Sequence, residues 1–441
     1  MKLSPHFLIP NSKILLIQIL LLLPFLSIAF AQTEKDQTDL IKKGEYVAIA
    51  ADCMACHTAP DNNAKPLAGG YIIELPMGKI VSPNITPSKQ FGIGNWSEID
   101  FANAVRKGIS PTKGNLYPAM PYTAYHGITD EDIHALYTYI MLSITPVDEP
   151  LVEETTLSFP FEYRQLMTVW NKLYLDDKIF TPDPTKSTEI NRGTYLIDNL
   201  AHCGTCHTPR NMLFAENDEK ALSGSNLGGW FAPNITADNS SGIGSWSKEE
   251  IVTFLKTGHL ENKASSAGEM ATAVVDSFSK MTDDDLSAIA AALKDINMIH
   301  TAVPRAIYNQ RNTIEDINQI YSGQGDYLSL IDSNTTNGQK LYLNICASCH
   351  GIDGSGSEDQ VYPSLILNST VKSLKANNLV LVISEGIHRQ MDSGEVFMPG
   401  FKQDLNDAQI AAITQYVRKN FASIVDKTSE KDVKAIIPGK Q

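Results

Sequence analysis

Three times along the chain, apolar residues at helical spacing lead into two cysteines and a histidine. The runs are EYVAIAADCMACH (45–57), TYLIDNLAHCGTCH (194–207) and NGQKLYLNICASCH (337–350). Apolar positions three and four apart predict an amphipathic helix in each. A second set of helical runs follows each of these: ITDEDIHALYTYI (128–140), MTDDDLSAIAAAL (281–293) and LNDAQIAAITQYV (405–417). The first two begin with Thr followed three residues later by Asp, at Thr129/Asp132 and Thr282/Asp285. The third pairs Asn406 with Gln409. These are capping-box patterns, which start helices. The fold class is therefore mainly α, in three units that each open and close with a helix.

The first two units are copies. Cys203 lies 150 positions after Cys53, and the same offset carries His57 onto His207, PNIT (83–86) onto PNIT (233–236) and GIGNWS (92–97) onto GIGSWS (242–247). It also carries Arg106 onto Lys256 and Gly108 onto Gly258. Self-similarity in one register marks duplicated units. The boundaries that follow are 32–145, 189–296 and 337–425 for the three units. A linker at 146–188 contains LSFPFEYRQLMTVWNKLYL, too aromatic for a loose tether, and predicts packing across the first two units. The linker at 297–336 is polar and reads as an irregular surface connection. The charged tail, 426–441, reads as frayed.

The apolar run from Ile14 to Phe30 stands apart. Lys2 and Lys13 precede it, Gln18 and Pro24 interrupt it, and Ala29-Phe30-Ala31 ends it. It is short for a membrane span and reads as a secretory signal, residues 1–31, cleaved after Ala31. The formal charge of the whole chain is −14, and losing the two signal lysines leaves −16. That excess of acid argues against nucleic acid as a partner and favours basic docking faces.

An exported chain with six cysteines would ordinarily suggest three disulfides. Here Cys53/Cys56, Cys203/Cys206 and Cys346/Cys349 use every cysteine, and each pair is followed at once by His57, His207 or His350. C-x-x-C-H is the attachment pattern of c-type haem. Two thiols bond the haem vinyl groups, and the next His reaches the iron from the same helical turn. Zinc would need two further ligands per pair. A thioredoxin-like dithiol would sit at the start of a helix after a strand, not at the end of a helix. The expectation is three covalently bound haem c groups.

The iron ligand opposite each His decides the chemistry, since His/Met ligation makes a low-spin carrier of raised potential. A functional ligand should recur in both copies. Besides His57/His207, one Met or His pair does: Met120 and Met270, each 63 residues after its His. His126, His134, His259 and Met77 have no matching partner. The third unit offers Met398, in VFMPGF ahead of the closing helix, with Met391 and His388 as alternatives. That unit lacks the NIT and GIGxW elements, so its haem environment should differ from the other two.

Backbone carbonyls at Ala59 or Pro60, and at Thr208 or Pro209, are candidates to hold the second nitrogen of the first two histidines. Buried haem propionates need donors, and Asn84, Trp96, Arg106, Asn234, Trp246 and Lys256 are candidates. The rival reading of GIGxW is a tight turn with a core Trp. The sequons at Asn84 and Asn234 are discounted as glycan sites because equal placement in both copies fits a pocket role. GIDGSGS (351–357) lacks the context of a phosphate loop and reads as a flexible loop beside the third haem. No nucleophile–base constellation and no dinucleotide fingerprint is present, so no catalytic residue is assigned.

Taken together, CMACHTAP, SPNITPS, LYPAMPY, FPFEYRQLMTVWN, HCGTCHTPRN, GWFAPNITAD, GIGSWS and CASCHG with MPGF carry a resemblance. The chain resembles the three-haem cytochrome c subunits of bacterial membrane-bound alcohol, aldehyde and gluconate-type dehydrogenases, over nearly its whole mature length. The resemblance implies three tandem cytochrome c domains and a relay of electrons from a flavin or pyrroloquinoline-quinone (PQQ) dehydrogenase subunit. It also implies a small third subunit, ubiquinone or a terminal oxidase as acceptor, and peripheral attachment at the periplasmic face of the inner membrane. The chain then has no organic substrate site of its own. The alternative is a haem enzyme such as a peroxidase, with one haem, most naturally the third, left open.

Overall fold

A glycine sets the helix crossing that closes each unit. In this computed structural model, residues 35–301 and 332–437 are described, apart from positions 62, 333, 360 and 393. The apolar run 14–30 with its cleavage site, and most of the 297–336 linker, lie outside the described residues. The opening helices are residues 35–50, Thr188–Tyr195 and Gly338–Ile345; the closing ones are Asp130–Ser143, Asp283–Asp295 and Asp407–Ala422. A Cβ on Gly44 would lie 2.0 Å from the Ala135 carbonyl oxygen, one on Gly193 1.9 Å from that of Ala288, and one on Gly338 2.2 Å from that of Ala412. Only glycine lets the backbones approach this closely. The crossing occurs in all three units, including the third, whose sequence has diverged most.

Between crossing helices the first two units repeat one another in detail. Ser97 and Ser247 cap helices Glu98–Lys107 and Lys248–Thr257 through reciprocal boxes with Asp100 and Glu250. Gly108 (φ 61°) and Gly258 (φ 68°) end them in the left-handed conformation. Short antiparallel hairpins, Ile72–Leu75 with Gly78–Val81 and Ser225–Leu227 with Trp230–Ala232, follow the cysteine motifs. The second copy has one more residue before its cysteines, because a π turn at Leu196–Leu200 continues its opening helix.

The closing-helix caps differ from the expected boxes. Thr129 and Thr282 accept from the Asp132 and Asp285 amides, yet only Asn406/Gln409 is reciprocal. The two carboxylates are drawn instead into a pseudo-two-fold interface between the first two units. Tyr46 donates to Asp285 at 2.6 Å, and Tyr195 donates to Asp132 at 2.7 Å. Lys43 pairs with Asp132 at 3.0 Å and Arg192 with Asp285 at 2.7 Å. Buried apolar residues of both units form one continuous core across this contact, whereas the third unit has its own.

This contact has a signed pH dependence. Burial pushes the Asp285 carboxyl up, but hydrogen bonds from Arg192 and Tyr46 and the Arg192 charge outweigh it and hold the group below its ordinary range. Its stabilisation is therefore present above the unfolded carboxylate value of about 3.9 and is lost as pH falls through the depressed folded value. Asp285→Asn should lower thermal stability at pH 7, and the gap to the wild type should begin to close below about pH 5 and go on closing as pH falls through the depressed folded value. A calorimetric pH series checks this; a gap independent of pH would contradict it.

The first linker packs on both copies. Trp170, on helix Leu166–Tyr174, donates to the Leu213 carbonyl at 2.8 Å and meets the Tyr122 ring edge-on; Tyr122 also donates to Asn171 at 2.7 Å. The third unit docks on the second through Asn378, whose amide both donates to and accepts from the Phe231 backbone, at 2.9 and 2.8 Å.

The frayed tail is corrected. Ser429 and Asp432 form a capping box that starts helix Glu430–Ile436. Val433 and Ile437, four apart, are buried in the third core, and Asp426 forms a buried ion pair with Arg418. A short apolar stripe within a polar sequence is enough to dock a helix once a complementary groove exists.

Candidate haem sites

Each C-x-x-C-H motif occupies a short helical turn: Cys53–His57, Gly204–His207 and Ala347–His350. Beyond each turn the chain swings back so that a proline carbonyl meets the imidazole. His57 Nδ1 lies 2.9 Å from the Pro83 oxygen, His207 Nδ1 2.7 Å from Pro233, and His350 Nδ1 3.1 Å from Pro363. A carbonyl can only accept, so Nδ1 donates and Nε2 keeps its lone pair for a metal. These carbonyls replace the adjacent ones at Ala59, Pro60, Thr208 and Pro209. The available signal was the recurrence of Pro83 and Pro233 in PNIT; what hid it was the return of the chain, a matter of tertiary structure. Burial, against the Pro83 and Pro363 hydrogen bonds, lowers the proton affinity of His57 and His350, which favours the neutral ring a metal requires.

Five of the six thiols are not built for disulfide exchange. Burial pushes Cys53, Cys56, Cys203 and Cys346 up to about 12 and Cys206 to about 11. Thiols with so little thiolate are poor nucleophiles at neutral pH. No two cysteines are bonded to each other. Among the described residues no three His, Cys, Asp or Glu side chains converge as metal ligands.

Cys349 departs from the other five. Cys349 is exposed, while the rest are at least partly covered, in keeping with the expectation that the third haem environment differs. Its Sγ accepts from the hydroxyl of the adjacent Ser348 at 3.9 Å. The physical reason lies in what the third unit lacks. Pro233, Asn234 and Ile235 of PNIT, with Ile243 and Trp246 of GIGSWS, wall the second site, and the third unit has no copy of either segment. With Cys346 partly covered and Cys349 exposed, the third haem would be held at a more open edge than the second, whose two cysteines are both partly covered.

A cavity of about 260 Å³ lies in the second unit. Cys203, Cys206, His207 and Met270 all line it, with an apolar wall that includes Ile243, Trp246 and Phe278. Two thiols, an imidazole and a methionine thus line one largely apolar space, and these are the residues that would hold a c-type haem. The wall draws on all three units: Asp52 reaches in from the first, and Ser369, Asn378 and Val382 from the third. Asp52, in left-handed backbone (φ 52°), is pushed up to about 7 by burial and the Asp276 charge; the sequence did not single it out. Helix Gly268–Asp276, which carries Met270, packs on the Cys53–His57 turn, so the first two sites are neighbours.

Met120 packs against the shared core of the first two units, ahead of helix Tyr122–Tyr125. In the third unit the hairpin Ile387–Met391/Gly394–Met398 separates the alternatives. Met391, at its tip, packs against the core of the first two units, while Met398 lies at its base, opposite Ile387. His388 is exposed and bonded to Glu395 at 3.0 Å, which removes it as a ligand candidate.

Most of the propionate candidates serve other ends. Arg106 donates to the Ile128 carbonyl and to Asp130, and Lys256 to the Met281 carbonyl and Asp283, so both staple the start of a closing helix. Asn84 and Asn234 bracket their own threonines and hold the Val147 and Ile299 carbonyls at 2.9 and 2.7 Å. These contacts give Arg106, Lys256 and the two asparagines structural roles within their own units. Burial of both asparagines also leaves neither sequon open to a glycan. Trp96 is half-buried and Trp246 buried; Trp246 lines the cavity. The GIDGSGS loop is ordered: Gly354 packs its backbone on the Phe421 ring, and Gly356 donates to the His350 carbonyl at 2.9 Å.

Comparison with known proteins agrees with this geometry. The cytochrome c family model matches residues 41–143 and 335–420. The chain is 43% identical to the fructose dehydrogenase cytochrome subunit of Gluconobacter japonicus, over 90% of this chain and 83% of that one. It is 36% identical to the cytochrome c subunit of alcohol dehydrogenase (quinone) from Gluconacetobacter polyoxogenes, with coverage of 90% and 83%. It is 33% identical to the gluconate 2-dehydrogenase cytochrome c subunit of Pantoea cypripedii, with coverage of 93% and 92%. The chain belongs to the family of cytochrome c subunits of membrane-bound dehydrogenases, and its three C-x-x-C-H turns make it a three-haem electron-transfer subunit that works with a dehydrogenase partner.

Proposed function

We propose that the chain takes electrons from a dehydrogenase subunit carrying flavin or PQQ and passes them to ubiquinone or a terminal oxidase at the periplasmic face of the inner membrane. A small third subunit completes the complex. The haems supply one-electron redox chemistry. The protein attaches them at Cys53/Cys56, Cys203/Cys206 and Cys346/Cys349 and ligates them through His57/Met120, His207/Met270 and His350/Met398. The observation that carries this reading is that His207 and Met270 line one largely apolar cavity. A largely apolar pocket with a ligand on each side of the iron suits electron transfer and not substrate turnover. No helix among the described residues is long and apolar enough to cross a membrane, so attachment to the membrane runs through the partner or through residues outside those described.

Carbon monoxide tests this against the peroxidase alternative. Three haems per chain by pyridine haemochrome and no binding of carbon monoxide to the reduced native protein are expected. Stoichiometric binding to one haem would favour an enzyme.

The first linker supplies the partner face. Phe159, Val169 and Leu173 are 76%, 63% and 64% exposed along one strap whose other side holds Trp170 in the core. Exposed apolar patches of this kind mark subunit contacts. Val169→Asp with Leu173→Asp should leave three haems bound and sharply reduce co-purification of the dehydrogenase subunit. Unchanged recovery would remove this face.

A further inference from the structure

We propose that Arg389, a residue of the third unit, is the counter-ion of a propionate on the haem of the second. Arg389 is 1% exposed and sits mid-strand in Ile387–Met391, the strand that packs on helix Gly268–Asp276. Its Nη1 donates to the Ser266 carbonyl at 2.5 Å and to Ser266 Oγ at 3.3 Å. Its Nε is buried without a hydrogen-bond partner among the described residues. No described carboxylate forms an ion pair with it, whereas the equally buried Arg418 has Asp426. A guanidinium stays charged when buried, and a buried charge without an opposite one is strongly unfavourable.

The missing anion is accounted for by what lies on the other side of Ser266. Ser265 and Ser266 line the cavity that His207 and Met270 share. A haem seated there brings two carboxylates. Close by, His259 keeps Nε2 buried without a partner while its Nδ1 meets Ser265 Oγ at 2.8 Å. Behind Ser265 and Ser266, which line the cavity, stand His259 and Arg389, each with a buried nitrogen unpartnered among the described residues. The first unit shows a parallel arrangement: Arg164, from the strap, donates to the carbonyl of Asn115, the counterpart of Ser265, at 3.1 Å. In each copy an arginine from outside the unit reaches the loop ahead of the methionine.

Arg389 therefore fastens the third unit to the second and sets the charge beside the second haem. A cation there favours the reduced iron, whose net charge is lower by one. Redox titration of Arg389→Gln should lower the midpoint of one haem by about 59 mV, a tenfold change in a one-electron equilibrium, and leave the other two in place. Arg389→Lys, which keeps the charge, should restore most of the shift. In a Met270→His background, which marks the second haem spectroscopically, the shift must fall on the marked haem. Unchanged midpoints in Arg389→Gln, a shift on another haem, or no recovery with Lys would overturn the assignment. If Arg389→Gln does not assemble, the redox-difference infrared spectrum of Arg389→Lys decides. Movement of a propionate carboxylate band supports the pairing, and an unmoved spectrum overturns it. The inference rests on haem at Cys203–His207, and haem counting on the wild-type chain separates the two. Fewer than three haems there would remove the cofactor, whereas three haems with immobile midpoints would remove only the role of Arg389.

Discussion

Met270→Ala is expected to leave three haems covalently attached while converting one of them from low to high spin. Attachment depends on Cys203 and Cys206, which the substitution leaves alone, and His207 remains held by Pro233. What disappears is the thioether in the cavity wall. The loss should register as a high-spin signature in the optical and magnetic circular dichroism spectra, together with new binding of carbon monoxide at one haem. The midpoint of that haem should fall by on the order of 0.1 V, within the wide range that axial ligands command. Met120→Ala should do the same to the first haem. In the third unit Met398→Ala should give high spin and Met391→Ala should not, because Met391 packs against the neighbouring core. An unchanged low-spin spectrum in Met270→Ala would end the His/Met assignment.

The second large effect concerns folding. Gly193→Ala places a methyl 1.9 Å from the Ala288 carbonyl oxygen, and Gly338→Ala places one 2.2 Å from that of Ala412. Neither helix pair can keep its crossing, and each substitution should cost more than about 3 kcal/mol, at the upper end of overpacking penalties. The consequences should differ. The third unit has a separate core, so Gly338→Ala should yield a chain in which two haems keep their native low-spin ligation and the third does not. The first two units share a core and the reciprocal Tyr46–Asp285 and Tyr195–Asp132 contacts. Gly193→Ala should therefore damage the first haem along with the second. The number of haems in native low-spin ligation, read by magnetic circular dichroism, checks both. An undisturbed low-spin first haem in Gly193→Ala would show that the units fold independently.

Much of the site was legible because its covalent logic is local. C-x-x-C-H places three side chains on one helical turn, and such a turn survives any tertiary arrangement. The motif says nothing of what covers it, which is why Cys349 reads like the other five cysteines yet lies exposed. The repeat did a second service by isolating Met120 and Met270. Recurrence shows that a residue such as Asn84 or Asn234 matters to the unit without saying whether it touches cofactor or backbone. Both asparagines recur because both copies must tie down the chain that leaves the closing helix. Arg106 and Lys256 recur because both copies must anchor the start of that helix.

What the sequence determined by itself was whatever depends on neighbours within a few turns of chain: the opening and closing helices, their caps, the three haem hooks and the duplication. Those features rest on periodicity and covalent spacing, which act over short range. Only the tertiary structure decided which carbonyl holds each histidine, that the first two units share a core, that the polar tail is a docked helix, and that Arg389 of one unit is buried beside the cavity of another. Each of these joins residues distant in the chain. The energy that selects such contacts is burial and the need to satisfy buried polar groups, and neither leaves a local mark on the sequence.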